Sequence, residues 1–336
     1  LQLDNKEVSL SPEVITLGEP MAVLIAQETG ELKNVSHFLR GIAGAELNVA
    51  ISLTRLGHSC SYITRLGKDP FGEYIYDYIR STKIDHKYIY FDKEYNTGLY
   101  LKSKPLNGED PIIYYYRKNS AASHLATKDI EKVDFKGYKI LHITGITAAL
   151  SKNCKDALYL AIEKARKNNL LISFDTNIRR ALWKNEKEMK KVLNKIAFES
   201  DIVLPGIGEG RELTGKNTPE QIADYYIQNG SKAVIIKIGK SGAYYKTKEE
   251  SGQVDGFKIE NIVDTVGAGD GFASGLLSGI LDGKSIKDSV KTGNAVASII
   301  IQHKGDNAPL PTKEELDQYI FENYSKKILV SKNYNR

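Results

Sequence analysis

The sequence predicts a single doubly wound α/β domain carrying a small β-rich lid. Three observations carry this reading. Short apolar runs alternate with helical segments, a stretch between about 86 and 118 replaces that rhythm with strands alone, and a glycine-rich turn opens a long small-and-apolar run at 264–281.

The first strand is Val14-Ile15-Thr16-Leu17, entering the turn Gly18-Glu19-Pro20, and Met21 to Ile25 reads as a second. Asn48 to Leu56 has helical spacing and ends at Gly57-His58, a C-cap signal. Ser61 to Thr64 is a strand, and after Gly67-Lys68-Asp69-Pro70-Phe71-Gly72 a helix runs to about Ser81. In the middle segment Tyr88-Ile89-Tyr90, Thr97 to Leu101 and Ile112 to Arg117 are strand-like and separated by turns rich in Pro, Asn and Gly. With no long helix between them, these three strands are expected to form one small projecting sheet with a face over a cleft.

The α/β rhythm resumes with the strand Lys139 to Ile143, a helix over 152–168 and the strand Leu170 to Asp175. A helix over Lys184 to Phe198, the strand Ile202 to Leu204 and a helix over Glu220 to Asn229 follow. Ala233 to Lys237 and Gly242 to Tyr245 make a hairpin, and helices are expected at 270–281 and 285–302. The lysine-rich tail after about 325 is expected to fray. No internal repeat or low-complexity linker interrupts the chain.

Composition narrows the function. A chain of 336 residues, 41% hydrophobic and 26% charged, is ordinary for a globular protein with one large core. Its 47 basic and 42 acidic side chains leave a formal charge of +5, with lysines scattered over helices and no dense basic tract, which argues against nucleic acid as partner. The N-terminal residues are acidic and polar without a basic-then-apolar leader, and no apolar run reaches transmembrane length, so no membrane partner is expected. Two isolated cysteines, Cys60 and Cys154, imply no disulfide framework and suit a reducing cytoplasm. Neither they nor His142 and His303 have metal-ligand spacing.

The stretch Asp264-Thr265-Val266-Gly267-Ala268-Gly269-Asp270 bears most directly on chemistry. If Gly267, Ala268 and Gly269 open the following helix, their N–H groups face along its positive end, where phosphate charge is stabilised. Asp270 would then stand beside that anion hole, able to accept a proton, an arrangement suited to phosphoryl transfer to a hydroxyl. Alone, the motif is also consistent with a tight turn in which Asp270 caps a helix. It is neither a Walker A loop nor Gly-x-Gly-x-x-Gly.

Other segments suit a sugar. Ala43-Gly44-Ala45-Glu46-Leu47-Asn48 places small residues before a helix, where the Gly44 N–H and the Asn48 amide can bond hydroxyls; a plain loop and helix start would read alike. Arg117 ends a strand after three tyrosines, and Arg179 follows Asp175-Thr176-Asn177 at the C-terminal end of a buried strand, where ligands collect in open sheets. Two guanidinium forks reaching one cleft point to an anionic group on the acceptor, although Arg179 and Arg180 would look the same as surface basics. Asp175 or Asn177 suits sugar hydroxyls or water around a metal. The turn Lys237 to Gly242, including Gly239, fits the wall of a nucleotide pocket or an ordinary hairpin, and Asp264-Thr265 suits a role in orienting the anion loop or meeting a phosphate.

Together these residues resemble the ribokinase-like (PfkB) carbohydrate kinases, and within them the 2-keto-3-deoxygluconate kinases, from Gly18 to about Leu310. The resemblance implies a ribokinase-like three-layer α/β/α sandwich over 1–330, a projecting β-sheet lid from segments near 20–43 and 86–118, and a short tail at 331–336. It implies Asp270 as catalytic base, an anion hole at Gly267, Ala268 and Gly269, and ATP with Mg²⁺ as cofactors. It implies acceptor contacts from Gly44, Asn48, Tyr100, Tyr115, Arg117 and Arg179, the arginines meeting a carboxylate. Lys237, Gly239 and Asn294 match nucleotide-pocket positions of these kinases, alongside Gly242, Asp264 and Thr265.

Two departures stand out. Ala43 occupies the first of two glycine positions in the sugar motif, which keeps the same backbone path only if its φ is ordinary. Gly206-Ile207-Gly208-Glu209 stands where the family often has Asn-x-x-Glu, leaving Glu209 alone to influence Mg²⁺, through water. The expected reaction is phosphorylation of the 6-hydroxyl of 2-keto-3-deoxygluconate. A fructokinase or ribokinase type, a relaxed gluconate/galactonate specificity and a catalytically silent sugar-binding protein are the alternatives. Exposed lid strands need protection from edge pairing, so association through the lids, as a dimer or a dimer of dimers, is expected.

Overall fold

A computed structural model describes residues 12–105, 111–259, 261–303 and 310–333. Along the chain the elements are β1 (Val14–Leu17), β2 (Met21–Thr29), β3 (Phe38–Ala43), α1 (Ala45–Arg55), β4 (Cys60–Gly67), α2 (Pro70–Ser81), β5 (Ile89–Asp92), β6 (Leu99–Lys104) and β7 (Ile113–Tyr116). There follow α3 (Thr127–Glu131), β8 (Ile140–Thr144), α4 (Gly145–Leu150), α5 (Lys152–Lys167), β9 (Leu171–Asp175), α6 (Glu186–Phe198), β10 (Ile202–Val203), α7 (Ile207–Thr214) and α8 (Pro219–Gln228). The rest is β11 (Ala233–Lys237), β12 (Ala243–Thr247), β13 (Ser251–Val254), α9 (Ala268–Leu281), α10 (Ile286–Ile300) and α11 (Lys313–Asn333).

Nine strands form the main sheet in the order β13-β12-β11-β10-β9-β8-β1-β4-β5. It is parallel from β11 to β5, and only the β11–β12–β13 edge is antiparallel. Strand order runs outward from β1 in one direction and from β8 in the other, so a crevice opens beyond their C-terminal ends, at the switch point. Ile15, Leu17, Ile143, Ile172 and Phe174 pack one face against α5, α6 and α8. Val14, Tyr62, Ile140 and Leu204 pack the other against α1, α2, α9 and α10. This alternation along buried, predominantly apolar strands gives three layers, α/β/α.

The lid is a separate four-stranded sheet, β3-β2-β6-β7. Its inner face carries Met21, Val23, Ala43 and Tyr100 as a small apolar cluster with Ile25 and Ile113. The expected third lid strand at Tyr88-Ile89-Tyr90 belongs elsewhere: β5 pairs parallel with β4, Thr64 opposite Ile89, at the edge of the main sheet. Alternation alone identifies a strand without saying which sheet it joins, and here the buried Ile89 joins the core beneath α2. Its place in the lid is taken by β3, on the 20–43 segment. The lid turn after β6 falls largely at 106–110, outside the described residues.

The tail also differs from expectation, since α11 continues through 325 to Asn333. Its start is fixed by a reciprocal cap, Glu315 Oε2 accepting from the Thr312 N–H at 2.7 Å while Thr312 Oγ1 accepts from the Glu315 N–H at 3.3 Å. Leu316 anchors it in the core. The last three residues lie outside the described set. Among the described residues no helix is long and apolar enough to cross a membrane.

Candidate active site

A cavity of about 440 Å³ lies beyond the C-terminal ends of the central strands, roofed by the inner face of the lid. Each chain segment that lines it arrives by a local necessity. The β3–α1 turn reaches it at Gly44, where φ is +148° and an added Cβ would meet the Glu19 carbonyl oxygen at 2.8 Å. Only glycine fits both constraints. Ala43 has an ordinary negative φ at the end of β3, so its departure from the resemblance leaves the backbone path unchanged.

Asn48 sits in the first turns of α1, buried, with its Nδ2 donating to Asp270 Oδ2 at 2.9 Å. Its carbonyl Oδ1 is buried with no partner among the described residues. An amide held at one end by the aspartate therefore offers an acceptor to a ligand hydroxyl.

Asp270 is in the first turn of α9, whose N-cap is Gly267 in the left-handed conformation, φ +81°. The Ala268 N–H bonds the Thr265 carbonyl at 3.3 Å, while the N–H groups of Gly269 and Asp270 have no backbone acceptor among the described residues. Donors left bare at the start of a 14-residue helix are suited to an anion. Asp270 itself is pushed up to about 7: burial raises it most, Asp175 and Glu46 push the same way, and Asn48 and Arg179 only partly oppose them. A carboxyl with that pKa, beside an anion site, can take a proton at neutral pH.

Lys237, at the end of β11, places its Nζ 2.7 Å from Asp175 Oδ2. A Cβ added to Gly269 would lie 3.7 Å from the same Nζ, so the ammonium stands against the glycine loop. Burial pulls the Lys237 pKa down, but Asp175 and Glu209 outweigh it and hold it above the usual lysine value. Glu209 is held by donors from the Gly206 N–H (2.8 Å), the Ile178 N–H (2.7 Å) and the Thr176 hydroxyl (2.7 Å). Burial acts against its charge, yet Lys237 and these donors keep its pKa low. Both Glu209 oxygens are thus engaged by donors of the protein. Gly206 is the N-cap of α7, and a Cβ there would crowd Glu209 Oε2 at 3.3 Å.

Of the two arginines, Arg117 is buried, and its Nε donates to Glu19 Oε2 at 2.7 Å while Nη2 meets the same oxygen. Ser120 Oγ meets the other Glu19 oxygen. Arg117 lines the cavity, but its charge is balanced by Glu19. Arg179 lines the same cavity, exposed, with no ion pair among the described residues. It is therefore the cation available to an anionic ligand. Tyr100 and Tyr115, neighbours across β6 and β7 with ring centroids 5.4 Å apart, complete the lid side.

The expected residues thus converge unevenly. Gly44, Asn48, Tyr100, Tyr115, Arg117, Arg179, Glu209, Lys237, Thr265, Gly267, Gly269 and Asp270 line one cavity. Ala268, Gly239, Gly242 and Asn294 do not: the Ala268 N–H is taken by the Thr265 carbonyl, the two glycines make the β11–β12 turn, and Asn294 Nδ2 donates to the carbonyls of Val254 (3.1 Å) and Asp255 (3.3 Å). Asp264 is turned to the lid, where Lys102 binds it. Two cavity carboxyls escaped the sequence reading, Glu19 and Glu46. Glu46 is fully buried, accepts from the hydroxyls of Thr144 (2.6 Å) and Thr147 (2.9 Å), and has a pKa raised by that burial. The available signal was their position: charged residues inside an apolar strand exit and a small-residue helix start need buried partners.

No cluster of three or more His, Cys, Asp or Glu side chains able to hold a metal occurs among the described residues. Asp175 and Glu209, which line the cavity, are oxygen donors of the kind a hydrated Mg²⁺ takes.

Residues 11–313 match the pfkB family carbohydrate kinase family. The 2-dehydro-3-deoxygluconokinase of Bacillus subtilis (strain 168) is 45% identical over 309 residues, 92% of this chain and 95% of that protein. The solved PfkB protein of Polaromonas sp. JS666 superposes with a TM-score of 0.84 at 38% identity, covering 91% of this chain and 99% of that one. A putative Ribokinase II from E. coli in complex with ATP and Mg²⁺ superposes with the same TM-score, 0.84, at 26% identity over 93% of this chain and 99% of that one.

Proposed function

The chain belongs to the pfkB family of carbohydrate kinases, and on that premise we propose that it phosphorylates the 6-hydroxyl of 2-keto-3-deoxygluconate. It is a sugar kinase that uses ATP on a small sugar, with Mg²⁺ as the metal. The observation that carries the finer reading is the 45% identity to a 2-dehydro-3-deoxygluconokinase across 92% of the chain. The exposed, unpaired Arg179 supports it, since a neutral sugar gives no return for desolvating a guanidinium.

In this reading Arg179 binds the carboxylate end of the acceptor, with Arg117 donating whatever N–H groups Glu19 leaves free. Tyr100 and Tyr115 cover the chain of the sugar, Gly44 N–H donates to it, and Asn48 Oδ1 accepts from a hydroxyl. The 6-hydroxyl lies at Asp270, which takes its proton as the oxygen becomes nucleophilic. The N–H groups of the glycine loop and the Lys237 ammonium meet the charge that develops on the transferring group. ATP supplies the phosphoryl group; Asp175 and Glu209 would be the carboxyl groups near a bound Mg²⁺, which would supply charge neutralisation on the phosphates. Most of the rate enhancement is positioning and electrostatics, and the lid keeps water out.

Exposed Leu39, Tyr114 and Tyr116 on the lid favour association of two copies through their lids. Sedimentation equilibrium checks this, and a monomer at micromolar concentration would remove it. The two buried, unpaired cysteines favour the cytoplasm.

The test is ATP- and Mg²⁺-dependent phosphorylation of 2-keto-3-deoxygluconate, its galactonate epimer, gluconate, fructose and ribose. A preference for the keto-deoxy acids of about a hundredfold in kcat/KM supports the assignment. Preference for fructose or ribose discards the acidic acceptor while keeping the kinase chemistry, and no turnover with any favours a silent binder.

A further inference from the structure

Lys102 lies inside strand β6, flanked in register by Ile25 on β2 and Ile113 on β7. It is buried, and its Nζ donates to Asp264 Oδ2 at 2.8 Å across 162 residues of sequence. The other oxygen of that carboxylate accepts from the Val266 N–H at 3.1 Å. The Val263 and Asp264 N–H groups bond the Ile301 carbonyl, at 2.8 and 3.3 Å, so the segment is anchored just beyond the C-terminal end of α10. Gly267 follows directly as the N-cap of α9. One carboxylate therefore joins the lid to the residues that set the glycine loop.

Two residues earlier on the same strand face, Tyr100 lines the sugar cavity. Strand β6 thus presents one side chain to the sugar and the next in line to the phosphoryl-transfer loop. Its ladders with β2 and β7 keep it in the lid, so the ion pair is not what holds the strand in its sheet. A buried pair of this kind contributes little net stability, but removing one partner strands a charge in apolar surroundings.

We propose that Lys102 is a positioning residue that couples occupation of the sugar cavity to the geometry of the Gly267–Gly269 loop, an inference that rests on the kinase reading above. Sugar packed against Tyr100 favours the lid position in which Lys102 holds Asp264, and Asp264 in turn fixes Val266 and the loop entrance. Sugar and nucleotide then bind with positive coupling, and transfer of the phosphoryl group to water is held down while the sugar is absent.

The test measures binding of a non-hydrolysable ATP analogue by calorimetry with and without saturating sugar, together with kcat, sugar KM and sugar-free ATP hydrolysis. The sugar is whichever one the wild type phosphorylates fastest, so an error in the acceptor assignment leaves the comparison intact. In the wild type, sugar is expected to tighten the analogue about tenfold. In Lys102→Met that factor falls below about twofold and kcat drops at least about tenfold, while sugar KM stays within about threefold. Lys102→Arg recovers most of the coupling, because a guanidinium reaches the same carboxylate. Asp264→Asn, which keeps the shape and removes the charge, reproduces the Lys102→Met result and serves alone if that variant does not fold. The proposal is overturned if the wild type shows no coupling, or if either charge-removing variant keeps wild-type coupling and kcat. Loss of both affinities, kcat and thermal stability together would overturn it too, since that marks a merely structural pair.

Discussion

Asn48 and Asp270, 222 residues apart in sequence, are joined by a 2.9 Å hydrogen bond in which the Asn48 amide donates to the carboxylate. The bond ties the first turns of α1 and α9 together at the floor of the cavity. It favours the charged carboxylate against burial and the nearby Asp175 and Glu46, and the balance leaves Asp270 at about 7. Because the base must be ionised, kcat/KM is expected to fall about tenfold per pH unit below that value and level off above it. Asn48→Ala removes the donor, so the acidic limb moves to higher pH. A pH–rate profile unchanged in Asn48→Ala would show that the bond does not set the base.

Asp270→Asn separates chemistry from folding. Turnover is expected to drop by about a thousandfold or more, since the other carboxyl groups lining the cavity are engaged, Glu19 by Arg117, Glu46 by Thr144, Asp175 by Lys237 and Glu209 by Thr176. Stability moves the other way. The folded-state pKa lies above the ordinary carboxylate value, so ionisation disfavours the folded chain: stability is lost as pH rises from about 4 to about 7, and the deficit persists above that. The asparagine variant is therefore expected to match the wild type at pH 4 and exceed it at pH 8, on the order of 2 kcal/mol after allowing for the side chain's partial exposure. Urea titrations at the two pH values read both ends, and a variant less stable at pH 8 would contradict the account.

Arg179→Ala tests the anionic end of the acceptor. For the keto-deoxy acids, loss of a charge-assisted pair is expected to lower kcat/KM by about a hundredfold, against about threefold or less for fructose. Arg117 gives a contrast. Its partner Glu19 fixes it whether or not an acid is bound, so Arg117→Ala is expected to cost stability of about 3 kcal/mol by leaving Glu19 buried without its ion-pair partner. Equal losses for acidic and neutral sugars in Arg179→Ala would end the carboxylate reading.

How far the sequence discloses this site depends on the kind of constraint involved. Gly44, Gly267 and Asp270 are legible because a backbone requirement and a chemical one fall on adjacent residues, producing a motif. Strands β1, β8, β9 and β11 are legible because burial on both faces makes them predominantly apolar. Tyr88 to Tyr90 is misplaced by period alone, since an alternating strand fits the lid and the sheet edge equally well. The Glu19–Arg117, Lys102–Asp264 and Lys237–Asp175 pairs are illegible in principle from one sequence. Each joins residues 62 to 162 positions apart, and only the fold decides which buried charge meets which. The Thr312-x-x-Glu315 cap, by contrast, is a local signature at the start of α11 and needs only four consecutive residues to be seen.

The small-and-apolar run after Asp270 makes one more prediction, about how the base is held in place. Gly271, Gly275 and Gly279 recur every four residues along α9 and face α10. A glycine inside a helix costs about 1 kcal/mol relative to alanine, so propensity alone favours replacing each of them. At Gly275, however, a Cβ would lie 2.7 Å from the Thr292 carbonyl oxygen and 2.9 Å from Gly293 Cα, both backbone atoms of α10. At Gly271 it would meet Ile300 Cδ1 at 2.1 Å, the far end of a side chain that can rotate away. Gly275→Ala must push two helices apart, and the strain of overpacking, about 1–3 kcal/mol, outweighs the propensity gain. Gly271→Ala relaxes by moving Ile300 and is expected to fall within about 1 kcal/mol of the wild type. Urea midpoints for the two variants should therefore order as wild type close to Gly271→Ala, both above Gly275→Ala. The reverse order would mean that α9 and α10 are not held by backbone contact, and that Asp270 owes its position to Asn48 rather than to the packing beneath it.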